Sequence, residues 1–388
     1  MSVKKLQLQI GTINLARAVY ALNWFNIAPG LADIATSLNL RIVDLGVITT
    51  GFYIGLAPFQ IAGGVIASRI GNRITSFLGL IILGTFVILS GLSTSLLDLF
   101  LARLFEGIGS SLFFSPALGM LSEIVPTRTR SFHIGLFNGS FNIGAGIGIL
   151  GWTYLDSVYG WRFPLELAGM IMIGVAVLNF GMVSGIPQSH RSDTSLTSRV
   201  NVALRTRILW ILPLAVLIGI LAETITGQLF VYYAEVHLNM ADGLASILGT
   251  AFLLFGFAGG TLGGYLYGRS GKKNSIFIGS MILTAFMLML IPLFSNFLIL
   301  LAIMAILGIM AVAVLSILYV KVVEITTDRT MVSFNLSFIN FVQTAFGSLS
   351  PFFFTILVLY YGYGFSWFTV GFSGLLLILL LLFVRKSF

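Results

Sequence analysis

Two long stretches of the chain, residues 274–320 and 330–384, contain no Asp, Glu, Lys or Arg. A helix rises 1.5 Å per residue, so crossing a hydrocarbon core of ~30 Å takes about 20 apolar residues. Each stretch is therefore long enough for a helical hairpin. Turn-forming residues mark where each would bend, from Pro292 to Asn296 in the first and from Gly362 to Gly364 in the second. The rest of the chain reads the same way, since only 9% of its residues are charged and 57% are hydrophobic. A soluble domain carries about 25% charged residues. Helices are predicted near 8–30, 46–67, 74–95, 98–122, 131–154, 164–186, 208–234, 244–267, 275–293, 298–322, 332–360 and 365–384. The fold class is an all-α membrane protein of twelve transmembrane helices.

The first apolar segment is long, contains Arg17 and runs on without a small-residue cleavage site, so it reads as a first span and not as a cleaved signal peptide. No cysteine is present, which excludes disulfides and thiolate metal sites. The net charge of +8 could suggest a polyanionic partner, but its distribution says otherwise. With twelve spans and both ends inside, 17 of the 21 Lys and Arg fall on the inner side, Arg41 and Arg162 on the outer, and Arg17 and Arg103 within helices. This asymmetry is the positive-inside rule. It predicts a multi-pass protein of the cytoplasmic (inner) membrane with both termini cytoplasmic, and it leaves no role for nucleic acid.

The chain repeats itself. Gly64-x4-Arg69-x-Gly71-x-Arg73 matches Gly264-x4-Arg269-x-Gly271-x-Lys273 at an offset of 200. At an offset of 201, Glu123-Ile124 and Arg128 align with Glu324-Ile325 and Arg329. Two six-helix halves related by a parallel repeat are expected: residues 1–186 and 207–388, joined by a polar, cationic linker over 187–206. Such duplication is a transporter architecture, with the substrate site expected near the midplane at the repeat interface.

These residues resemble the major facilitator superfamily. The Gly64 to Arg73 segment is similar to its signature between helices two and three, with a weaker copy between helices eight and nine. An Asp that the signature carries before the Arg is replaced by Ser68 and Gly268. Arg103-x3-Gly107-x-Gly109 looks like the family's second motif, and Gly160-Trp161-Arg162-Phe163 resembles its entry to helix six. A narrower likeness is to the anion:cation symporter branch, through Asn14 with Arg17 on helix one and GFYIGLAPFQIAGG at 51–64. That resemblance implies organic-anion binding at Asn14 and Arg17. Two acids of the branch are absent, replaced by Ala16 and Ser110, so its usual proton-coupling groups are unavailable.

Polar residues inside the spans supply the candidate site. A charge at a helix centre costs roughly 2.5–3.5 kcal/mol to insert, so an intramembrane ionisable residue points to function. Arg17 shares a helical face with Tyr20 and Trp24, and a guanidinium fork between aromatic walls suits a small organic anion. A structural Arg bonded to helix carbonyls or an acid is the competing reading. Glu223, near the middle of helix seven, is a candidate proton carrier, because a carboxylate alternating between wet and dry surroundings changes its proton affinity. It could equally be a fixed partner of Arg17. Glu106 lies three residues from Arg103 and can pair with it; proton transfer and a local ion pair both explain it. Asn138 and Asn142 on helix five, with Asn340 and Gln343 on helix eleven, could bind a polar solute or hold helices together.

Arg69, Arg73 and Glu123, with Arg269, Lys273 and Glu324 in the second half, form two candidate gating clusters in which acid pairs with base. Gly144, Gly146, Gly148 and Gly151 suggest close helix packing. His133, His190 and His237 lie in separate segments and make no metal site. Nothing in the sequence calls for a cofactor. An enzyme would need a catalytic constellation, and none is present; a channel would not need two matching halves. A monomeric secondary transporter of a small solute is expected, an organic anion such as a monocarboxylate or sugar acid, with protons as a possible co-substrate. A multidrug or sugar exporter of the same fold is the alternative, with Glu223 facing a lipophilic cation.

Overall fold

A computed structural model describes residues 3–126, 129–183, 196–326 and 332–387. Every regular element among them is helical. The chain runs α1 (Val3–Leu22), α2 (Leu31–Ser37), α3 (Ile42–Ile70), α4 (Asn72–Gly91), α5 (Leu96–Ile124), α6 (Arg130–Tyr159) and α7 (Arg162–Met182). It continues with α8 (Leu196–Arg205), α9 (Ile208–Ala215), α10 (Leu217–Tyr232), α11 (Asp242–Arg269), α12 (Lys273–Leu290), α13 (Phe297–Ile325), α14 (Val332–Gly347) and α15 (Ser350–Ile378). These helices form two compact units. Met1–Arg191 with Ala241–Ser246 make the first, and Ser192–Met240 with Ile247–Phe388 the second.

Among the described residues, eight stretches are long and apolar enough to cross a membrane. One of them, Phe334–Phe383, holds two spans, because Gly362 breaks α15 with φ of +78°. A positive φ costs glycine little, which is why the turn falls there. The other predicted bend also forms: Ile291–Leu293 is a single 3₁₀ turn, and the Asn296 side chain accepts from the Leu298 and Ile299 amides to start α13. With α1, α5 and α6, which are long enough but carry charged or amide residues within their length, the twelve-span bundle is complete.

Three predicted helices have different ends. The first was expected to reach residue 30 but stops at Leu22, where the Asn23 side chain donates to the Val19 carbonyl and Pro29 lies ahead. Trp24 consequently sits in a turn. The span expected over 208–234 breaks at Val216, just past Pro213, and finishes in a π-helical turn at Tyr233–His237. The helix expected over 332–360 ends at Gly347 and restarts at Ser350, because Pro351 has no N–H to continue a ladder and disfavours helical backbone before it. Of the linker predicted over 187–206, residues 187–195 lie outside the described residues, while its end is helical in α8.

The repeat is visible in the packing of each unit. A Cβ on Gly107 of α5 would strike the Phe52 carbonyl of α3. A Cβ on Gly308 of α13 would strike the Phe252 carbonyl of α11. The two glycines and the two phenylalanines are separated by the repeat offset. Helices in lipid gain no hydrophobic drive to associate, so contact depends on small residues that let backbones approach.

Candidate functional site

The close approach of α1 to α6 builds the surroundings of Arg17. Gly144 has room for no side chain, because a Cβ there would meet the Ala18 carbonyl, and Gly148 packs on Leu22 one turn along. Gly151, predicted to share this role, has open space around it. With the helices this close, Phe137 and Phe141 on α6 reach Arg17, and Phe114 reaches it from α5. The guanidinium carbon lies 4.5 Å from the centroid of Phe141, 4.6 Å from Phe114, 4.9 Å from Tyr20 and 5.1 Å from Phe137. Arg17 is 7% exposed. Ring faces attract the cation through their quadrupoles without neutralising it. A guanidinium can fork onto a carboxylate or phosphate through its in-plane N–H donors.

Tyr20 and Trp24 join the same cluster although the helix has ended between them. Their rings are 5.5 Å apart, and Trp24 also meets Phe141 at 5.3 Å and Phe52 at 5.0 Å. Asn14, one turn below Arg17, donates to the Ile10 carbonyl at 2.8 Å and accepts from Ser140 of α6 at 3.4 Å. The four phenylalanines around Arg17 and Tyr20, namely Phe113, Phe114, Phe137 and Phe141, were not singled out from the sequence. Phe137 and Phe141 do have helical i, i+4 spacing, but among 34 Phe residues that spacing carries little information.

A second charged group lies deeper in the same unit. Arg103 Nη1 donates to Glu106 Oε2 at 2.5 Å, and both side chains are fully buried. Ser90 of α4 donates to the other carboxylate oxygen at 2.5 Å, and Asn26 accepts from Arg103 at 3.0 Å. Phe52 lies under the guanidinium at 4.6 Å. A buried pair stands only when hydrogen bonds occupy its remaining donors and acceptors. Ser90 and Asn26 meet that need only in part, since Nε and Nη2 of Arg103 make no hydrogen bond; neither residue is near the pair in sequence.

The other predicted residues are more dispersed. On α6, Asn138 is exposed and Asn142 half-buried, one turn apart. In the second unit Asn340 accepts from Tyr319 at 2.9 Å, tying α14 to α13, and Gln343 is buried with its Nε2 making no hydrogen bond. Glu223 is half-buried on α10 beside Thr224, which bonds Ser350 at 2.7 Å.

Of the gating clusters, the second forms an acid-base pair: Lys273 Nζ meets Glu324 at 2.5 Å and Tyr267 donates to the same carboxylate at 3.1 Å. Arg269 instead stacks on Tyr265 at 4.7 Å. In the first unit Arg73 turns away from the acid expected to hold it. It donates twice to the Phe180 carbonyl and stacks on that ring at 3.9 Å, while Asn72 reaches Glu123 at 3.4 Å. An uncapped carbonyl near a helix C-terminus is a ready acceptor for a cation. Arg69 is exposed at the end of α3.

Comparison with known proteins bears on this arrangement. The model of the Major Facilitator Superfamily matches residues 13–243 and 214–388. The membrane sensor protein UhpC of Salmonella typhimurium is 27% identical over 73% of this chain and 70% of its own length. The hexuronate transporter of Bacillus subtilis is 24% identical over 66% of this chain and 63% of its own. Across the curated relatives, the match spans from 36% to 71% of the relative's length. A crystal structure of a bacterial homologue of the human lysosomal transporter Spinster, inward-facing and occupied, superposes with a TM-score of 0.79 at 16% identity, covering 100% of this chain and 98% of that one. At that identity the likeness concerns the fold.

Proposed function

The chain belongs to the Major Facilitator Superfamily, a family of membrane transport proteins, and on that premise we propose that it is a secondary transporter of a small organic anion. It works by alternating access in the cytoplasmic membrane, with both termini inside. The observation that carries the reading is Arg17, a buried guanidinium among four aromatic rings near the C-terminal end of α1. A guanidinium recognises an oxyanion through two parallel N–H donors. The substrate is accordingly a monocarboxylate or sugar acid, whose apolar or ring portion lies against Tyr20 and Trp24. The hexuronate transporter among the relatives is in keeping with a sugar acid.

Glu223 is the proposed coupling acid. The acids that the symporter branch would use are replaced by Ala16 and Ser110, and Glu106 is held by Arg103. Substrate and proton would load together, each raising the other's affinity by the same factor.

Counterflow in proteoliposomes across a panel of monocarboxylates, sugar acids and lipophilic cations tests the reading. An anion should be taken up saturably, and Arg17→Lys should lose about 2 kcal/mol of binding, a factor of ~30, because an ammonium cannot form the bidentate fork. Equal affinity in wild type and Arg17→Lys would sink the anion site; saturable cation flux would favour an exporter. Glu223→Gln should keep counterflow and lose pH-driven accumulation. A sensor, as the Salmonella relative is named, would bind the anion without counterflow.

A further inference from the structure

The repeat makes Met120 and Lys321 equivalent, at the offset of 201 that also aligns Glu123 with Glu324. One unit thus carries a thioether where the other carries an ammonium. Lys321 is only 4% exposed. It donates to Asn274 at 3.1 Å and lies 5.8 Å from the centroid of Phe277. Burying an ammonium at a helix end is costly, and the first unit closes the same helix end without one. Packing alone therefore does not require Lys321.

Lys321 lines a pocket of about 630 Å³ at the end of the second unit, together with Lys272, Lys273, Asn274, Ser275 and Glu324. Both oxygens of Glu324 are engaged, one by Lys273 at 2.5 Å and the other by Tyr267 at 3.1 Å. Three lysines against one carboxylate leave the pocket cationic. Its floor includes the start of α12, where Lys272 occupies the N-cap position and no side chain caps the first turn. The helix dipole at such an end favours an anion. The Lys-rich loop marks this end, by the positive-inside rule, as the cytoplasmic one, which sets the pocket level with the inner-leaflet headgroups. In the first unit the matching positions are Ala67 for Tyr267 and Met120 for Lys321, and Arg73 is drawn to Phe180, so this cluster is not repeated among the described residues there.

We propose that this pocket is a binding site for a phosphate-bearing anion, with Lys321 and Lys272 supplying the charge and the Ser275 hydroxyl a hydrogen bond. Ammonium groups suit phosphate as compact point charges. The phosphate can belong to an anionic phospholipid or to a soluble ion; the site stands apart from Arg17 and does not depend on what the transporter carries.

Delipidated full-length protein is titrated with phosphatidylglycerol, with phosphatidylcholine as the control, and separately with inorganic phosphate, reading binding by native mass spectrometry and thermal shift. Phosphatidylglycerol retained at least tenfold more tightly than phosphatidylcholine assigns a lipid headgroup; saturable stabilisation by inorganic phosphate without lipid preference assigns a soluble ion. In either case Lys321→Met, which installs the first unit's residue, should weaken binding at least tenfold. Lys272→Gln, at an exposed position, should weaken it severalfold and serves where Lys321→Met fails to fold. Neither probe binding to wild type, or undiminished binding in both variants, overturns the proposal.

Discussion

Neutralising Glu106 separates a structural ion pair from a proton carrier. In Glu106→Gln the shape is kept and the charge removed, leaving Arg103 cationic in a place with no solvent access, since both side chains are 0% exposed. Breaking a buried pair by removing one partner costs about 3–5 kcal/mol. In a unit of this size each kcal/mol shifts the melting temperature by about 2–4 °C, so a fall of roughly 6–20 °C is expected. Intrinsic tryptophan fluorescence of purified protein in detergent reads it directly, as the chain carries 5 Trp. The double variant Arg103→Met/Glu106→Leu should recover part of the loss, because apolar replacement of a whole buried pair is often neutral. Recovery stays partial because Asn26 and Ser90 lose their partners. A shift below about 2 °C in Glu106→Gln would refute the reasoning: the carboxylate would not be the charge that compensates Arg103, and Glu106 would join Glu223 as a candidate proton site.

Other expectations follow from the same unit. Gly144→Ala should destabilise by about 1–3 kcal/mol, since its Cβ meets the backbone of α1. The same change at Gly151, which has open space around it, should be close to neutral in thermal unfolding.

The spans, the sidedness of the charges and the duplication could be read from the sequence because each is a property of contiguous or regularly offset residues. The charge-free stretches need no knowledge of neighbours to be recognised as too apolar for water, and Pro292 and Gly362 act on their own backbone. Arg17 stood out for the same reason, as a charge inside an apolar run. Helix ends were less legible: α1 stops at Leu22 through an Asn23 side-chain bond that competes with further helix, a choice made within one turn.

What surrounds each intramembrane group was decided only by the tertiary structure. Phe114, Phe137 and Phe141 reach Arg17 from two other helices, Asn26 reaches Arg103 from 77 residues away, and Arg73 prefers the Phe180 carbonyl to the nearby acid. In water, an apolar stripe would have shown which face of each helix turns inward. In lipid the outward face is as apolar as the inward one, so that periodicity fades. The inward faces are set instead by where backbones can touch, at Gly107 on Phe52 and Gly144 on Ala18, and those contacts exist only once the helices are packed.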